Sequence, residues 1–125
     1  MKLCILLFMA IVLSSCDKYD LKIISHPSYS IGLVGNYSPG GQTRAIILFQ
    51  YKVSSKTLTK YYENGDYHWN VPTSGVHIGE EYMVQYDSLY PGTARMLFSY
   101  QLADSSDFKK YVALFKKNPP GYPDP

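Results

Sequence analysis

Cysteine is scarce in this chain: Cys4 and Cys16 are the only two among 125 residues, and both lie near the N-terminus. The remaining sequence therefore offers no disulfide framework and no thiolate metal site. Histidine is nearly as sparse, with His26, His68 and His77. None of the three stands at ligand spacing from another, and a zinc site needs three or four donors. Neither a metal nor any other cofactor is expected. Long hydrophobic runs are absent too. Residues 3–13, LCILLFMAIVL, are all apolar, but a membrane-spanning helix needs about 20 residues. Charge is nearly balanced, with 12 Lys and Arg against 10 Asp and Glu, which argues against nucleic acid as a main partner.

Catalytic patterns are missing as well. Gly40-Gly41 lies between strand-like segments and reads as a turn, because a phosphate loop would have to open a helix. No serine stands in a nucleophile-elbow context. Glu80 and Glu81 are adjacent, so on a strand they point to opposite faces and cannot act as a carboxylate pair. These absences predict a protein without catalytic residues. The weakest alternative is an enzyme that uses His68 with Asp66 or Glu81.

What is present begins at the N-terminus. Lys2 precedes the apolar run, which is the layout of a secretory signal. The run then ends at Leu13-Ser14-Ser15-Cys16. That order, Leu, two small residues and Cys, resembles the lipobox of bacterial lipoproteins. The resemblance implies diacylglycerol attachment to Cys16, then cleavage between Ser15 and Cys16. Two or three acyl chains on one residue hold a protein at a bilayer far more firmly than one chain can. The implied partner is thus the membrane, and the implied address is the cell envelope, with the outer membrane preferred. The expected organisation is a signal peptide over 1–15, a lipidated tether over 16–27, a β domain with a C-terminal helix over 28–118, and a proline-rich tail over 119–125. About 110 residues would remain, enough to bury roughly two-thirds of the unfolded surface without disulfides.

The middle of the chain is rich in Tyr, Ile, Val and Phe, punctuated by Gly, Pro and Asn, and reads as strands. A short strand is expected at Leu21 to Ile24, and longer ones at Tyr29 to Tyr37, Arg44 to Val53 and Thr57 to Glu63. In the second of these, Ala45, Ile47, Phe49, Tyr51 and Val53 share one face, while Ile46 and Leu48 make part of the other face apolar. That pattern predicts a central strand. Asn64-Gly65 is a strong hairpin signal, and the strand after it carries Tyr67, Trp69 and Val71 on one face. Alternation at Tyr82, Val84, Tyr86 and again at Ala94, Met96, Phe98, Tyr100 predicts a further hairpin. Phe108, Tyr111, Val112 and Phe115 then fall at helical spacing. Asp107 near the start and Lys116-Lys117 near the end suit the helix dipole, and Pro119-Pro120 ends the helix. The predicted fold is mainly β, a small antiparallel, partly closed barrel of five to six strands with one C-terminal α-helix. The tail PPGYPDP reads as a loose terminus.

The stretch GEEYMVQYDSLYPGTARML resembles small β domains of unknown function on lipoproteins of Bacteroides-like bacteria, and FQYKVSSKTLTKYY resembles their preceding hairpin. Where those domains carry Asn-Gly or Asp-Gly in the first turn, this chain has Ser54-Ser55. The resemblance implies a fold and no catalytic role.

Tyrosine is abundant, with 13 residues. Tyr61, Tyr62, Tyr67 and Trp69 flank the Asn64-Gly65 turn and form the candidate contact surface for a glycan or peptide. The competing reading makes them cross-strand pairs that hold a sheet together. Lys52, Lys56 and Lys60, with the lysines of the helix, either solvate a face or meet anionic headgroups. The expected function is a lipid-anchored, non-enzymatic envelope module that binds an envelope protein or glycan, or holds position at the membrane. An immunity-type inhibitor is the related alternative. Oligomeric state is not legible.

Overall fold

The computed structural model describes residues 24–41, 43–63 and 71–121. They form five antiparallel strands and a single C-terminal helix: β1 (Pro27–Ser38), β2 (Ile46–Val53), β3 (Lys56–Glu63), β4 (Glu81–Asp87), β5 (Ala94–Leu102) and α1 (Ser106–Lys117). The strands make one sheet in the order β3-β2-β1-β4-β5. β1 is therefore central, and two hairpins, β2-β3 and β4-β5, pair with its two edges. The expected strands from Tyr29, Arg44, Thr57, Tyr82 and Ala94 all form. Ile24 is not in a strand, and the rest of the expected strand at Leu21 lies outside the described residues. So does the strand carrying Tyr67 and Trp69.

The alternation of β2 dictates its two environments. Ile47, Phe49 and Tyr51 are fully buried on the inner face, while Gln50 and Lys52 are exposed on the outer one. The inner face continues through Val34 of β1, Tyr62 of β3, Tyr82 and Val84 of β4, and Ala94 and Met96 of β5. No helix covers it. The sheet instead curls over its own inner face, as three tyrosines record. Tyr62 on β3 donates its hydroxyl to the Ala94 carbonyl on β5. Tyr51 on β2 reaches the Pro91 carbonyl at 2.5 Å. Tyr37 on β1 reaches the Pro72 carbonyl at 2.5 Å, drawing in the loop whose Val71 and Val76 close that end of the core. The sheet does not close hydrogen bond by hydrogen bond: among the described residues, β3 and β5 are not paired. The form is an open, strongly curled sheet, the loose end of a partly closed barrel.

Two local features follow from this curl. Gly32 lies where β1 crosses the core. A Cβ there would sit 2.4 Å from Val84 Cγ2 and 2.7 Å from Met96 Cε, so only glycine fits. The β2-β3 turn is two residues long, between the paired Val53 and Lys56. It places Ser54 at φ +56°, a left-handed value that costs a side-chain-bearing residue about 1 kcal/mol.

The outer face is covered on one side only. Met83 of β4 and Leu97 and Leu102 of β5 pack beneath Phe115 of α1, with Tyr29, Ile31, Tyr100, Phe108 and Tyr111 around them. Tyr29, Tyr100 and Tyr111 all meet Phe115, at ring separations of 4.9, 4.8 and 6.3 Å. The helix starts without a side-chain bond from Ser105 itself. The Asp107 carboxylate instead accepts the Ala103 and Asp104 amides, and Asp104 accepts the Ser106 amide at 2.7 Å. The Asp104 bond satisfies one of the amides that the helix start leaves open, and the Asp107 bonds fix the chain that leads into it.

The tail departs from expectation at its beginning. Pro120 is buried, and the Arg95 guanidinium donates to the carbonyls of Gly121 at 2.7 Å and Pro120 at 3.2 Å. A buried arginine on β5 thus straps the chain down after α1, so residues up to Gly121 are held against the sheet. A buried guanidinium must spend its donors on acceptors, and the tail supplies two of them.

Candidate functional site

The uncovered part of the outer face lies between α1 and the β2-β3 hairpin. It holds a groove of about 500 Å³, within the size range of small-molecule and short-oligomer sites. The floor comes from β1, where residues two apart face the same way. Tyr29 and Ile31 are half-buried and Leu33 is 42 % exposed. Phe108 in the first half of α1 forms the wall on one side. The polar rim is Gln50 and Lys52 from β2, Thr57 from β3 and Glu81 from β4, all exposed.

The groove exists because α1 is short and leans over β4 and β5. Its apolar stripe is used on Met83, Leu97, Tyr100 and the near side of Tyr29 and Ile31, which leaves Leu33 at the far end of β1 exposed. Tyr29 is fixed from two directions. Its ring packs on Phe115, and its hydroxyl accepts from the Gln85 side chain at 3.2 Å. Gln85 in turn accepts from Arg95 Nε at 2.9 Å. A chain of polar groups, Arg95 to Gln85 to Tyr29, thereby sets the position of one end of the groove floor.

The aromatic surface expected from the sequence is not assembled by the described residues. Tyr61 is 55 % exposed on the outer face of β3, whereas Tyr62 is 8 % exposed in the inner core. Adjacent strand residues point to opposite faces, so the two rings do not share a surface. Tyr62 packs on Phe49 at 5.9 Å and lies under Lys60, whose ammonium is 5.6 Å from the ring. Burial holds the Lys60 pKa below its ordinary value. Tyr67 and Trp69 lie outside the described residues, as do Cys16, Asp66 and His68.

The remaining ionisable groups serve the fold. Glu80 accepts the His77 amide at 2.6 Å, the Tyr82 hydroxyl at 3.0 Å and the Gln101 amide nitrogen at 2.8 Å. The His77 amide bond is the largest cause holding its pKa below the usual carboxylate range. Glu81 points away into the groove rim, so the two carboxylates diverge. Burial alone would raise the Asp87 pKa. The Leu89, Ser25 and His26 amides and the Ser25 hydroxyl outweigh it and hold the carboxyl below its ordinary value. Among the described residues, no group of three or more His, Cys, Asp or Glu is placed to hold a metal ion. None of their helices is long and apolar enough to cross a membrane.

Sequence reasoning did not anticipate the groove, nor Gln85, Asp87 and Arg95 as buried polar residues. The one available signal was the apolar outer face of β1, Tyr29, Ile31 and Leu33. No protein-family model, curated protein or solved structure matches the chain.

Proposed function

We propose that this is a lipid-anchored envelope protein, tethered through Cys16, whose domain acts by non-covalent binding, with the groove between α1 and the β2-β3 hairpin as its binding surface. The groove carries this reading. It joins an apolar, aromatic floor to a rim of separated hydrogen-bonding groups, the combination by which ligand sites fix orientation. An extended glycan or peptide segment suits that lining. Tyr29 and Phe108 offer aromatic contact to a sugar or side-chain face. Gln50 and Thr57 offer donors and acceptors, and Lys52 and Glu81 add one charge of each sign. The anchor is supported by the basic residue, the apolar run and Leu13-Ser14-Ser15-Cys16 at the N-terminus.

The test is a titration followed by backbone-amide NMR shifts, using envelope oligosaccharides in one series and short extended peptides in another. The expected result is saturable shifts confined to residues such as Leu33, Gln50, Lys52 and Phe108, abolished by Phe108→Ala. Saturable shifts centred on Tyr61 instead would move the binding surface along β3, away from the groove. Flat titrations in both series would refute the groove as a site for these ligands.

A further inference from the structure

The chain enters the fold at one end of the sheet and is clamped there. The Ser25 amide and hydroxyl donate to Asp87 Oδ2 at 3.0 and 3.1 Å, and the Ser88 amide donates to the His26 carbonyl at 2.9 Å. Residues 25 and 26 are thus bonded to the start of the β4-β5 loop. From Cys16 to Ile24 there are eight peptide steps in the sequence, which span about 28 Å at full extension. A bilayer that holds Cys16 therefore lies within that reach of the β4-β5 loop, whatever path the intervening chain takes.

The loop is built to present what it carries. Asp87 Oδ1 accepts the Leu89 and Tyr90 amides at 2.9 and 3.3 Å. The Asp87 amide donates to the Thr93 carbonyl at 2.9 Å, and the Thr93 amide to the Tyr90 carbonyl at 2.8 Å. This frame leaves Leu89 61 % and Tyr90 52 % exposed. Two large apolar side chains are displayed on a fixed loop tip, so their burial elsewhere costs side-chain freedom but little loop ordering.

Charge is divided between the two ends of the sheet. The antiparallel registers put the β2-β3 turn, with Lys52 and Lys56, at the same end as the β4-β5 loop. α1 runs back toward that end and finishes there with Lys116 and Lys117, since the chain just beyond it is bonded to Arg95 at the start of β5. The only described carboxylate at this end is Asp87, which is buried and fully engaged. The other described carboxylates, Glu63, Glu80, Glu81, Asp104 and Asp107, stand toward the opposite end, where Arg44, Lys109 and Lys110 offset them only in part, three cations against five anions.

We propose that the end of the domain formed by the β4-β5 loop, the β2-β3 turn and the C-terminus of α1 docks on an anionic lipid surface. Leu89 and Tyr90 enter the interface, and Lys52, Lys56, Lys116 and Lys117 face the headgroups. This rests on the anchoring at Cys16 proposed above. Tyrosine suits the headgroup level, where its ring is apolar and its hydroxyl stays wet. Each lysine near an anionic surface contributes roughly a fivefold preference. The acidic end is repelled, so the domain stands with its strands rising from the bilayer and its groove open to the side.

The test uses the full chain, extracted from membranes and returned to vesicles of phosphatidylcholine containing phosphatidylglycerol. A nitroxide is placed at Ser88→Cys or, at the opposite end, at Thr73→Cys. With Cys16 acylated and Cys4 removed with the leader, the introduced thiol alone takes the label. Docking predicts that the residue 88 label is relaxed by oxygen and shielded from a water-soluble nickel complex, while the residue 73 label is not shielded. Lys56→Gln is expected to lower the ratio of shielded to exposed label at residue 88 about fivefold, and neutral phosphatidylcholine vesicles are expected to lower it further. Equal nickel access at the two positions in acylated protein would overturn the docking and leave the anchor standing. An intact mass showing an unmodified Cys16 would overturn the anchor and the docking with it.

Discussion

Replacing Gly32 with alanine adds a single methyl group to the centre of the core. The new Cβ would lie 2.4 Å from Val84 Cγ2 and 2.7 Å from Met96 Cε, against about 3.5–4.0 Å for an unstrained carbon contact. Met96 can swing its flexible end away. Val84 cannot follow, because it is fully buried on a strand paired on both sides and its β-branched side chain is stiff. The overlap must then be relieved by a shift of β1 against β4. Overpacking of this kind costs about 1–3 kcal/mol, or about 10 °C of melting temperature in a domain of this size. Urea unfolding followed by far-UV circular dichroism measures it. Gly35→Ala is the control, since a Cβ there meets only ordinary contacts of 3.6 and 3.8 Å. Combining Gly32→Ala with Val84→Ala removes the colliding methyl and is expected to give a favourable coupling of about 1 kcal/mol or more. A Gly32→Ala protein as stable as wild type, or no coupling to Val84, would refute the close crossing of β1 and β4.

Three further outcomes follow from the same packing. Ser54→Gly relieves the left-handed strain in the β2-β3 turn and is expected to raise stability by up to about 1 kcal/mol in the same urea assay. The Tyr51 pKa is pushed up to about 12, chiefly by burial and then by Tyr86, and that of Tyr82 also reaches about 12, by burial and then Glu80. A raised folded-state value means stability that is complete below the unfolded tyrosine pKa of about 10 and lost as pH climbs toward 12. Alkaline unfolding within that window, with tyrosinate absorbance rising in step with loss of circular dichroism, is the expected signature. Asp87 has a depressed pKa, so its contribution is present above the ordinary aspartate range and disappears as pH falls through the lower folded value. Asp87→Asn is expected to cost about 1–3 kcal/mol at neutral pH and to flatten the acid limb of stability, with faster amide exchange at Ser25 and Leu89.

Much of the strand pattern was legible because its signals are local. Alternation along Ala45 to Val53 and Tyr82 to Tyr86, and the 3.6-residue stripe of Phe108 to Phe115, depend only on neighbours in sequence. The order of the strands was not, because β1 pairs with β2 and with β4, far along the chain, and nothing in its own composition announces a central position. Gln85 and Arg95 sit between the apolar positions of the alternating pattern. They are buried because α1 and the chain beyond it return over them, with Arg95 bonded to residues that lie 25 and 26 positions later, which is invisible to period-2 reasoning. The groove was illegible for the same reason, since it is the part of the outer face that α1 fails to reach. Tyr61 and Tyr62 illustrate a rule that was available from the start. Neighbours on a strand part company, so density of tyrosine near a turn does not make a surface.

The fate of the first residues decides where the domain works. Intact mass of the protein extracted from its native membrane, with fragmentation of its N-terminal peptide, tests this directly. The expected species begins at residue 16 and carries the added mass of diacylglycerol, with or without a further acyl chain, on Cys16. A species that begins at Met1, or at residue 16 with a free thiol, would contradict it.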